Sequence, residues 1–222
     1  MNVLLVLAHP ERRSFNGALF DTAVKALARG GHEIVTSDLY RMGFNPVSDR
    51  HNFRTVKDSE YLKLQAEEMY ATANVGFVEE LEVEIRKLES CDLLVLQFPL
   101  WWFALPAILK GWFDRVLVMG RTYGQGALYE KGKFRGKRAL LCLTTGGPED
   151  AYLMAGLHGD IHAILRPIQR GVLEFVGFDV LAPQIHFGAA RVNTEQREKW
   201  LVQYAERLRA IQSEKPIVVG KY

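Results

Sequence analysis

The stretch DLLVLQFPLWWFALPAILKGWFDRV, residues 92–116, decides the fold because it joins a strand, a loop and a helix in one short segment. Its first part is almost continuously apolar, as is typical of a strand buried on both faces of a parallel sheet. A helix-like segment follows at residues 105–119. Between them stand Trp101, Trp102 and Phe103, where a loop normally carries polar residues. This loop therefore presents flat apolar side chains on which a planar group can rest.

The alternation of strand and helix extends over the whole chain. Apolar runs that we expect to form strands occupy residues 3–8, 33–39, 92–98, 138–145 and 178–187. Helix-like segments occupy residues 16–29, 77–89, 105–119, 160–176 and 194–212. This alternation predicts a doubly wound α/β fold with helices on both faces of a parallel sheet. Five strands favour the flavodoxin-like order 2-1-3-4-5.

One long connection departs from this pattern. Residues 40–74 separate the second strand from the next predicted helix, and connections of that length are usually functional or bind a partner. The sequence contains no internal repeat and no linker that would mark a domain boundary. We therefore expect a single domain over residues 1–222 with a long insertion at about 40–75.

Composition excludes several classes of protein. Hydrophobic residues make up 48% and charged residues 24% of the chain, which is typical of globular proteins. A net charge of +2, without Lys/Arg runs longer than pairs, predicts no nucleic-acid partner. No apolar stretch approaches the roughly 20 residues that cross a bilayer, so we expect no membrane insertion. The first residues lack the charged start and cleavage site of a signal peptide, and we expect a cytoplasmic protein in which Cys91 and Cys142 are buried thiols.

Ligands of open α/β sheets bind beyond the carboxyl ends of the strands, where three loops of this chain meet. In the first loop, Ser14 and Asn16 are good helix caps and Gly17 follows, so the helix N-terminus can hold a phosphate. Arg12 and Arg13 can help neutralise that phosphate. The alternative is a plain helix start with a solvated charge pair. The sequence contains neither a G-x-G-x-x-G nor a G-x-x-x-x-G-K motif.

The loop after the fourth strand contains the sequence TTGGP, residues 144–148, whose glycines let backbone N–H groups approach a ligand. Alone, such a glycine pair often only turns the chain. Tyr152 and His158 follow in the same loop and carry transferable protons, although each residue taken alone is more often structural. Together with the aromatic loop and a phosphate-holding helix start, these features indicate a flavin site. Donors near flavin N1 and C2=O would stabilise the negative charge of the reduced ring, and we predict Tyr152 and His158 as catalytic.

Several motifs in order carry a family resemblance. The segments LAHPERRSFNGAL (7–19), FPLWWFALPAILKGWFDRV (98–116) and YEKGKFRGKRALLCLTTGGP (129–148) resemble the NAD(P)H:quinone oxidoreductase family, and the similarity runs from about residue 3 to 210. The resemblance implies a flavodoxin-like homodimer with active sites and FAD at the subunit interface. It also implies two-electron transfer from NAD(P)H to a quinone by a ping-pong mechanism. FMN is the alternative to FAD, and adenosine contacts such as Arg197 decide between them.

The resemblance also implies site residues. Cofactor contacts are expected from His9, Phe15, Asn16, Gly17, Gln65, Leu100, Trp101, Trp102, Phe103, Thr144, Thr145, Gly146, Gly147, Tyr152 and Arg197. Substrate contacts are expected from Trp102, Tyr123, Gln125, His158 and Phe175, with Phe175 from the partner chain.

The chain also departs from the family pattern at several positions. Trp101 stands where the family commonly has glutamine, and Gln125 where mammalian members have a second pocket tyrosine. One branch binds a metal through histidines at the positions of Arg170 and Glu174, so we predict no metal here.

Two other functions compete with this interpretation. His158, Asp160 and His162 are spaced for a zinc site, but no further ligand is evident. Close relatives of the family serve as flavin-binding regulatory subunits of potassium-efflux systems, which is the alternative function. The choice between NADH and NADPH and the physiological acceptor stay open.

Overall fold

The computed structural model describes residues 1–221. Its strands and helices, in chain order, are β1 (Asn2–Leu7), α1 (Phe15–Arg29), β2 (Glu33–Asp38), α2 (Leu64–Asn74), α3 (Glu79–Ser90), β3 (Leu93–Pro99), α4 (Ala107–Val116), β4 (Arg138–Thr144), α5 (Ile161–Ile168), β5 (Asp179–Val180), β6 (Gln184–His186) and α6 (Thr194–Arg209). Within the described residues, no helix is both long enough and apolar enough to span a bilayer.

The strands form one parallel sheet in the order β2-β1-β3-β4-β5, which confirms the predicted flavodoxin-like topology. The central strand β3 is buried along its whole length, because helices cover both faces of the sheet. Two apolar clusters lie on opposite faces, one formed with α3, α4 and α5 and the other with α1 and α6. The continuous apolar runs of the sequence thus correspond to the strands between two cores.

The fifth strand was predicted as one run over residues 178–187, and that prediction is wrong in its continuity. Two short strands, β5 and β6, both pair with β4 in parallel. Pro183 lies in the break between them. Proline has no N–H to donate to the ladder, so a strand is interrupted where it stands.

The long connection also differs from expectation, because its last third is the helix α2. This helix begins without a side-chain cap and ends at Val75 in the left-handed conformation, so the usual sequence signals are absent. Tertiary contacts hold it instead. The buried Glu67 carboxylate accepts the backbone N–H groups of Lys57 at 2.8 Å and Asp58 at 2.9 Å.

The predicted helix over residues 160–176 is likewise divided. Its first part is α-helix α5, and residues Gln169–Glu174 form a π-helix directly after it. Pro167 lies near the junction and cannot supply the N–H of a regular helical turn. Both cysteines are free and buried as predicted.

Candidate functional site

Two adjoining cavities lie at the carboxyl ends of the strands, as the fold predicts. The first has a volume of about 470 Å³ and the second of about 740 Å³. Leu100 and Gly146 line both cavities, so together they form one elongated site. The loop after β6, residues 187–193, contributes to both cavities in addition to the three loops that the sequence indicated.

The first cavity is lined by both polar and apolar residues. Its lining consists of His9, Ser14, Phe15, Asn16, Pro99, Leu100, Trp101, Thr144, Thr145, Gly146, Ala189, Ala190 and Arg197. Nine of these thirteen residues were predicted as cofactor contacts, and the other four are Ser14, Pro99, Ala189 and Ala190. The structure therefore brings together most of the residues predicted for the phosphate and adenosine side.

The helix start at this cavity differs in detail from the prediction. Ser14 caps α1 and its side chain accepts the N–H of Gly17 at 3.2 Å. Asn16 is not a cap. It is buried inside the first turn, where its side chain donates to Thr144 Oγ1 at 2.9 Å and accepts from Gln97 Nε2 at 2.8 Å. Asn16 therefore ties the first loop to β3 and β4 beneath the cavity.

Gly17 does not line either cavity, and a different constraint requires it. A Cβ at this position would lie 1.9 Å from the carbonyl oxygen of Arg12, which no side chain tolerates. Gly17 thus permits the first loop to fold closely over the start of α1. Its contact with a cofactor stays a prediction.

The positively charged side chain that lines the first cavity comes from α6 and not from the first loop. Arg12 forms a salt bridge with Asp21 at 2.5 Å, and the Arg13 guanidinium lies 3.3 Å from Glu11. Neither arginine lines the cavity. Arg197 does, and its guanidinium donates to the carbonyl of Val192 at 2.7 Å, which fixes its position.

The second cavity is larger than the first and contains both aromatic and charged side chains. It is lined by Leu100, Trp102, Phe103, Gly146, Gly147, Pro148, Asp150, Ala151, Tyr152, Leu157, His158 and Arg191. A Cβ added to Gly147 would lie 3.2 Å from the Tyr152 ring and 3.3 Å from the His158 ring. At Gly146 the added Cβ would meet no atom within 4 Å, so this backbone faces open space. The glycine pair therefore exposes peptide groups to whatever occupies the site.

The aromatic loop has a strained backbone. Trp101 and Ala104 exchange backbone hydrogen bonds of 3.1 and 2.9 Å, which makes Trp102 and Phe103 the two central residues of a tight turn. Their φ angles are 52° and 58°, in the left-handed region that bulky residues avoid. Glycine or asparagine normally fills such a turn. Strain of this kind is typical of functional sites, and here it holds Trp102 out with 96% of its surface exposed.

Tyr152 and His158 lie together on one wall of the second cavity. Their ring centroids are 4.9 Å apart, and the His158 ring lies 5.4 Å from Phe103. Tyr152 is almost fully buried. The His158 backbone N–H donates to the Ala151 carbonyl at 2.7 Å, which fixes the loop that carries both residues. The wall thus presents two proton-bearing side chains beside the glycine backbone.

Besides Gly17, four predicted residues lie outside both cavities. Gln65, Tyr123 and Phe175 form a group that we call the Tyr123 cluster. The Gln65 amide donates to the Tyr123 hydroxyl at 3.4 Å, and the rings of Tyr123 and Phe175 are 5.9 Å apart. Burial, together with the Glu68 carboxylate, raises the pKa of Tyr123. Gln125 stands nearby in sequence with a φ of 54°. Within one chain, therefore, these residues do not complete the cavities.

Comparison with known proteins identifies the family to which the chain belongs. A family described as having the flavodoxin-like fold matches residues 1–211. Rat NAD(P)H dehydrogenase [quinone] 1 is 44% identical over 215 residues, which are 96% of this chain and 78% of the rat protein. Rat ribosyldihydronicotinamide dehydrogenase [quinone] is 42% identical over 97% of this chain and 94% of its own. The chain belongs to this flavodoxin-like quinone reductase family.

A solved structure supports the same assignment. The crystal structure of a Klebsiella pneumoniae protein assigned as a quinone reductase superposes with a TM-score of 0.94. It is 38% identical in sequence, and the match covers 98% of this chain and 87% of that one. The family resemblance found in the sequence is thereby confirmed.

In this quinone reductase family member, the fourth loop is the part of the site that the sequence interpretation missed. Residues 187–193 follow β6 and supply Ala189, Ala190 and Arg191 to the cavities. A signal was available, because any loop after a parallel strand ends at the same edge of the sheet. The loop contains no motif of its own, and the break at Pro183 obscured the strand before it.

An ion pair occupies the positions at which the sequence resemblance implies metal-binding histidines in one branch of the family. Arg170 and Glu174 form a salt bridge of 2.8 Å, and the Arg170 guanidinium lies 4.0 Å above the Tyr129 ring. Asp160 caps α5 by accepting the His162 N–H at 2.9 Å. Within residues 1–221, no three His, Cys, Asp or Glu side chains are grouped as a metal ion requires.

Proposed function

We propose that the chain is a flavin-dependent NAD(P)H:quinone oxidoreductase, in which two electrons pass as hydride from NAD(P)H to bound FAD and then to a quinone. One observation carries this proposal. The strained turn of Trp102 and Phe103 faces the glycine backbone of residues 146–147 across a cavity that also contains Tyr152 and His158. The names of the relatives, which include NAD(P)H and quinone, point to the same chemistry.

The two joined cavities fit a flavin cofactor. Gly146 faces open space at their junction, and the apolar side chains of Leu100 and Trp101 offer a surface for a planar ring. When bound, a flavin accepts hydride from one substrate and passes it to the next. We infer FAD rather than FMN, because the first cavity continues as far as Arg197 on α6 and provides space for an adenosine half.

The side chains of the second cavity have separate tasks in this proposal. Tyr152 and His158 hold protons at the polar edge of the ring and stabilise the negative charge that develops there. Phe103 packs against the His158 ring and limits its orientation. Trp102 and Leu157 are strongly exposed in one chain and cover the apolar substrate from water once the site is closed.

We further propose a homodimer in which each site is completed by the Tyr123 cluster of the second chain. The support is twofold. The cluster lies outside the cavities of its own chain, and the loop that carries Tyr152 and His158 also carries exposed apolar side chains, with Met154 at 86% and Leu157 at 87% exposure. Such a patch is typical of a surface that contacts a partner. A quinone can then be held between this rim and the partner's aromatic rings.

The alternative function is not supported, and two further predictions stay open. The comparisons do not support the potassium-efflux regulatory subunit. A single domain with an insertion at about 40–75 and a cytoplasmic location stay predictions, the second supported by two free buried thiols.

Steady-state kinetics test this function. The purified protein is assayed with NADH or NADPH as donor and menadione as acceptor, each varied at several fixed concentrations of the other. Parallel lines in double-reciprocal plots are expected, because the donor product leaves before the acceptor binds. Donor oxidation that does not depend on the acceptor's identity or concentration would contradict a quinone reductase.

A further inference from the structure

The relatives of this chain differ in the hydride donor that their names give. Two rat proteins, one an NAD(P)H dehydrogenase and the other a ribosyldihydronicotinamide dehydrogenase, are 44% and 42% identical to it. NADH and NADPH carry a pyrophosphate with negative charges, whereas N-ribosyl dihydronicotinamide carries no phosphate. A positively charged residue near the nicotinamide pocket can therefore discriminate between these donors.

Arg191 meets this requirement. It lines the second cavity together with Tyr152 and His158, and it also lines an adjoining cavity of about 310 Å³ with Glu149 and Trp200. Its side chain is exposed. Among residues 1–221, no salt bridge or side-chain hydrogen bond occupies its guanidinium. A ligand phosphate can therefore bind Arg191 without displacing an internal partner.

The backbone under Arg191 is held firmly in place. The Arg191 N–H donates to the Gly188 carbonyl at 2.7 Å, and the Gly188 N–H donates to Thr145 Oγ1 at 3.2 Å. On the other side, the Arg197 guanidinium donates to the Val192 carbonyl at 2.7 Å. The loop thus ties Arg191 to both β4 and α6. Only the long side chain is free to reach a ligand at the cavity mouth.

A carboxylate of opposite sign lies on the same cavity. Asp150 lines the second cavity and is exposed, and it forms no salt bridge with Arg191. Glu149 lies beside Arg191 in the adjoining cavity. These carboxylates repel a phosphate that approaches the mouth, while Arg191 attracts it. Removing the positive charge of Arg191 and removing a negative charge at Asp150 should therefore change the binding of a phosphate-bearing donor in opposite directions.

We propose that Arg191 selects pyrophosphate-bearing hydride donors, NADH and NADPH, over phosphate-free N-ribosyl dihydronicotinamide. This inference rests on the proposed function, because it concerns the donor of that reaction. Arg191 acts by charge and hydrogen bonding to the pyrophosphate, at a distance from the reacting ring. It is a specificity residue and takes no part in hydride transfer itself.

The experiment compares kcat/KM for NADH and for N-ribosyl dihydronicotinamide, with menadione as acceptor, in holoenzyme variants. The wild type is expected to prefer NADH. In Arg191→Gln, kcat/KM for NADH falls about tenfold, as for loss of one hydrogen bond between charged groups, and kcat/KM for the riboside falls less than threefold. In Asp150→Asn, kcat/KM for NADH rises. The NADH preference of the wild type shrinks as salt is added.

A matched control removes the same charge elsewhere. Arg29 is exposed at the last turn of α1, at the opposite edge of the sheet, and Arg29→Gln is expected to leave the donor ratio within twofold of wild type. Flavin content and the riboside rate show that each variant still folds and binds its cofactor.

Specific outcomes would overturn the inference. An equal loss with both donors in Arg191→Gln would assign Arg191 to a general role, and loss of bound flavin would assign it to the cofactor. An unchanged donor ratio, or a wild type that prefers the riboside, would refute donor selection. A wild type that oxidises none of these donors would instead refute the proposed function, before any variant is examined.

Discussion

At the scale of single residues, the chemistry depends on Tyr152 and His158. They share a wall of the second cavity with ring centroids 4.9 Å apart. The double variant Tyr152→Phe with His158→Gln keeps the Tyr152 ring and a polar side chain at position 158 but removes both groups that can transfer a proton. We expect flavin reduction by NAD(P)H in stopped-flow to slow by about 10²-fold, while the flavin stays bound. An unchanged reductive half-reaction would remove both residues from the chemistry.

A second residue-scale prediction concerns stability at acidic pH. His186 is buried beside Phe15 and Trp200, and burial lowers its pKa to about 4. In the unfolded chain its pKa is about 6.5, so the unfolded state binds more protons between these values. Stability from His186 is therefore complete above pH of about 6.5 and is lost as the pH falls towards 4, by about 3 kcal/mol.

The check on this prediction is denaturant unfolding between pH 4 and 7. In His186→Gln the free energy of unfolding should depend less steeply on pH than in wild type. His51→Gln is the control, because the His51 side chain is 84% exposed. Equal pH dependence in wild type and His186→Gln would show that His186 is not buried as a neutral ring.

Residue identities were easier to predict than their contacts. The types of Ser14 and Asn16 indicated helix caps, but only Ser14 is one. Asn16 is buried and accepts a hydrogen bond from Gln97, a buried polar residue in an otherwise apolar strand that requires such a partner. A glutamine inside an apolar run was the available signal, but its partner on another element could not be read from the sequence.

At the scale of elements, the turn of Trp102 and Phe103 has conformational strain without compensating burial. Trp102→Gly removes a bulky side chain from a φ of 52°. Because this side chain is 96% exposed, we expect the free energy of unfolding to stay within about 1 kcal/mol of wild type. We expect kcat/KM for the quinone to fall about tenfold with the loss of an aromatic contact. Steady-state assays and chemical denaturation measure the two effects.

Val75→Gly is the matched control for that substitution. Val75 also has a positive φ, 51°, but ends helix α2 outside both cavities. Glycine suits this position, so Val75→Gly should raise the free energy of unfolding by up to about 1 kcal/mol and leave quinone reduction unchanged. Strong destabilisation by Trp102→Gly would show that the turn serves packing and not function.

Elements were predictable where local pattern and tertiary context agree. The apolar run of β3 was confirmed, and α6 begins at Thr194 as predicted, directly after its cap Asn193. Helix α2 was missed because it lacks a capping residue and buries two glutamates, Glu67 and Glu68, that resemble surface residues in sequence. The break in the fifth strand was foreseeable from Pro183.

At the scale of the whole molecule, the proposed dimer is tested by complementation. One chain carries Tyr152→Phe with His158→Gln, and a second carries Tyr123→Ala with Phe175→Ala. If each site combines the cavity of one chain with the Tyr123 cluster of the other, a mixed dimer contains one intact site. The isolated mixed dimer should then have about half of the wild-type activity, whereas a 1:1 co-refolded mixture, in which about half of the dimers are mixed, should recover about a quarter. No recovery in a mixed dimer that has been isolated by two affinity tags would contradict shared sites.

The flavin itself provides the most direct test of the central claim. The purified protein is examined by its visible spectrum, its cofactor is released and identified, and the holoprotein is then mixed anaerobically with NADH or NADPH, followed by menadione. We predict bound FAD whose absorbance is bleached by the nucleotide and restored by the quinone. A colourless protein that does not take up added FAD or FMN would contradict the account, and the assignment of both cavities would have to be withdrawn.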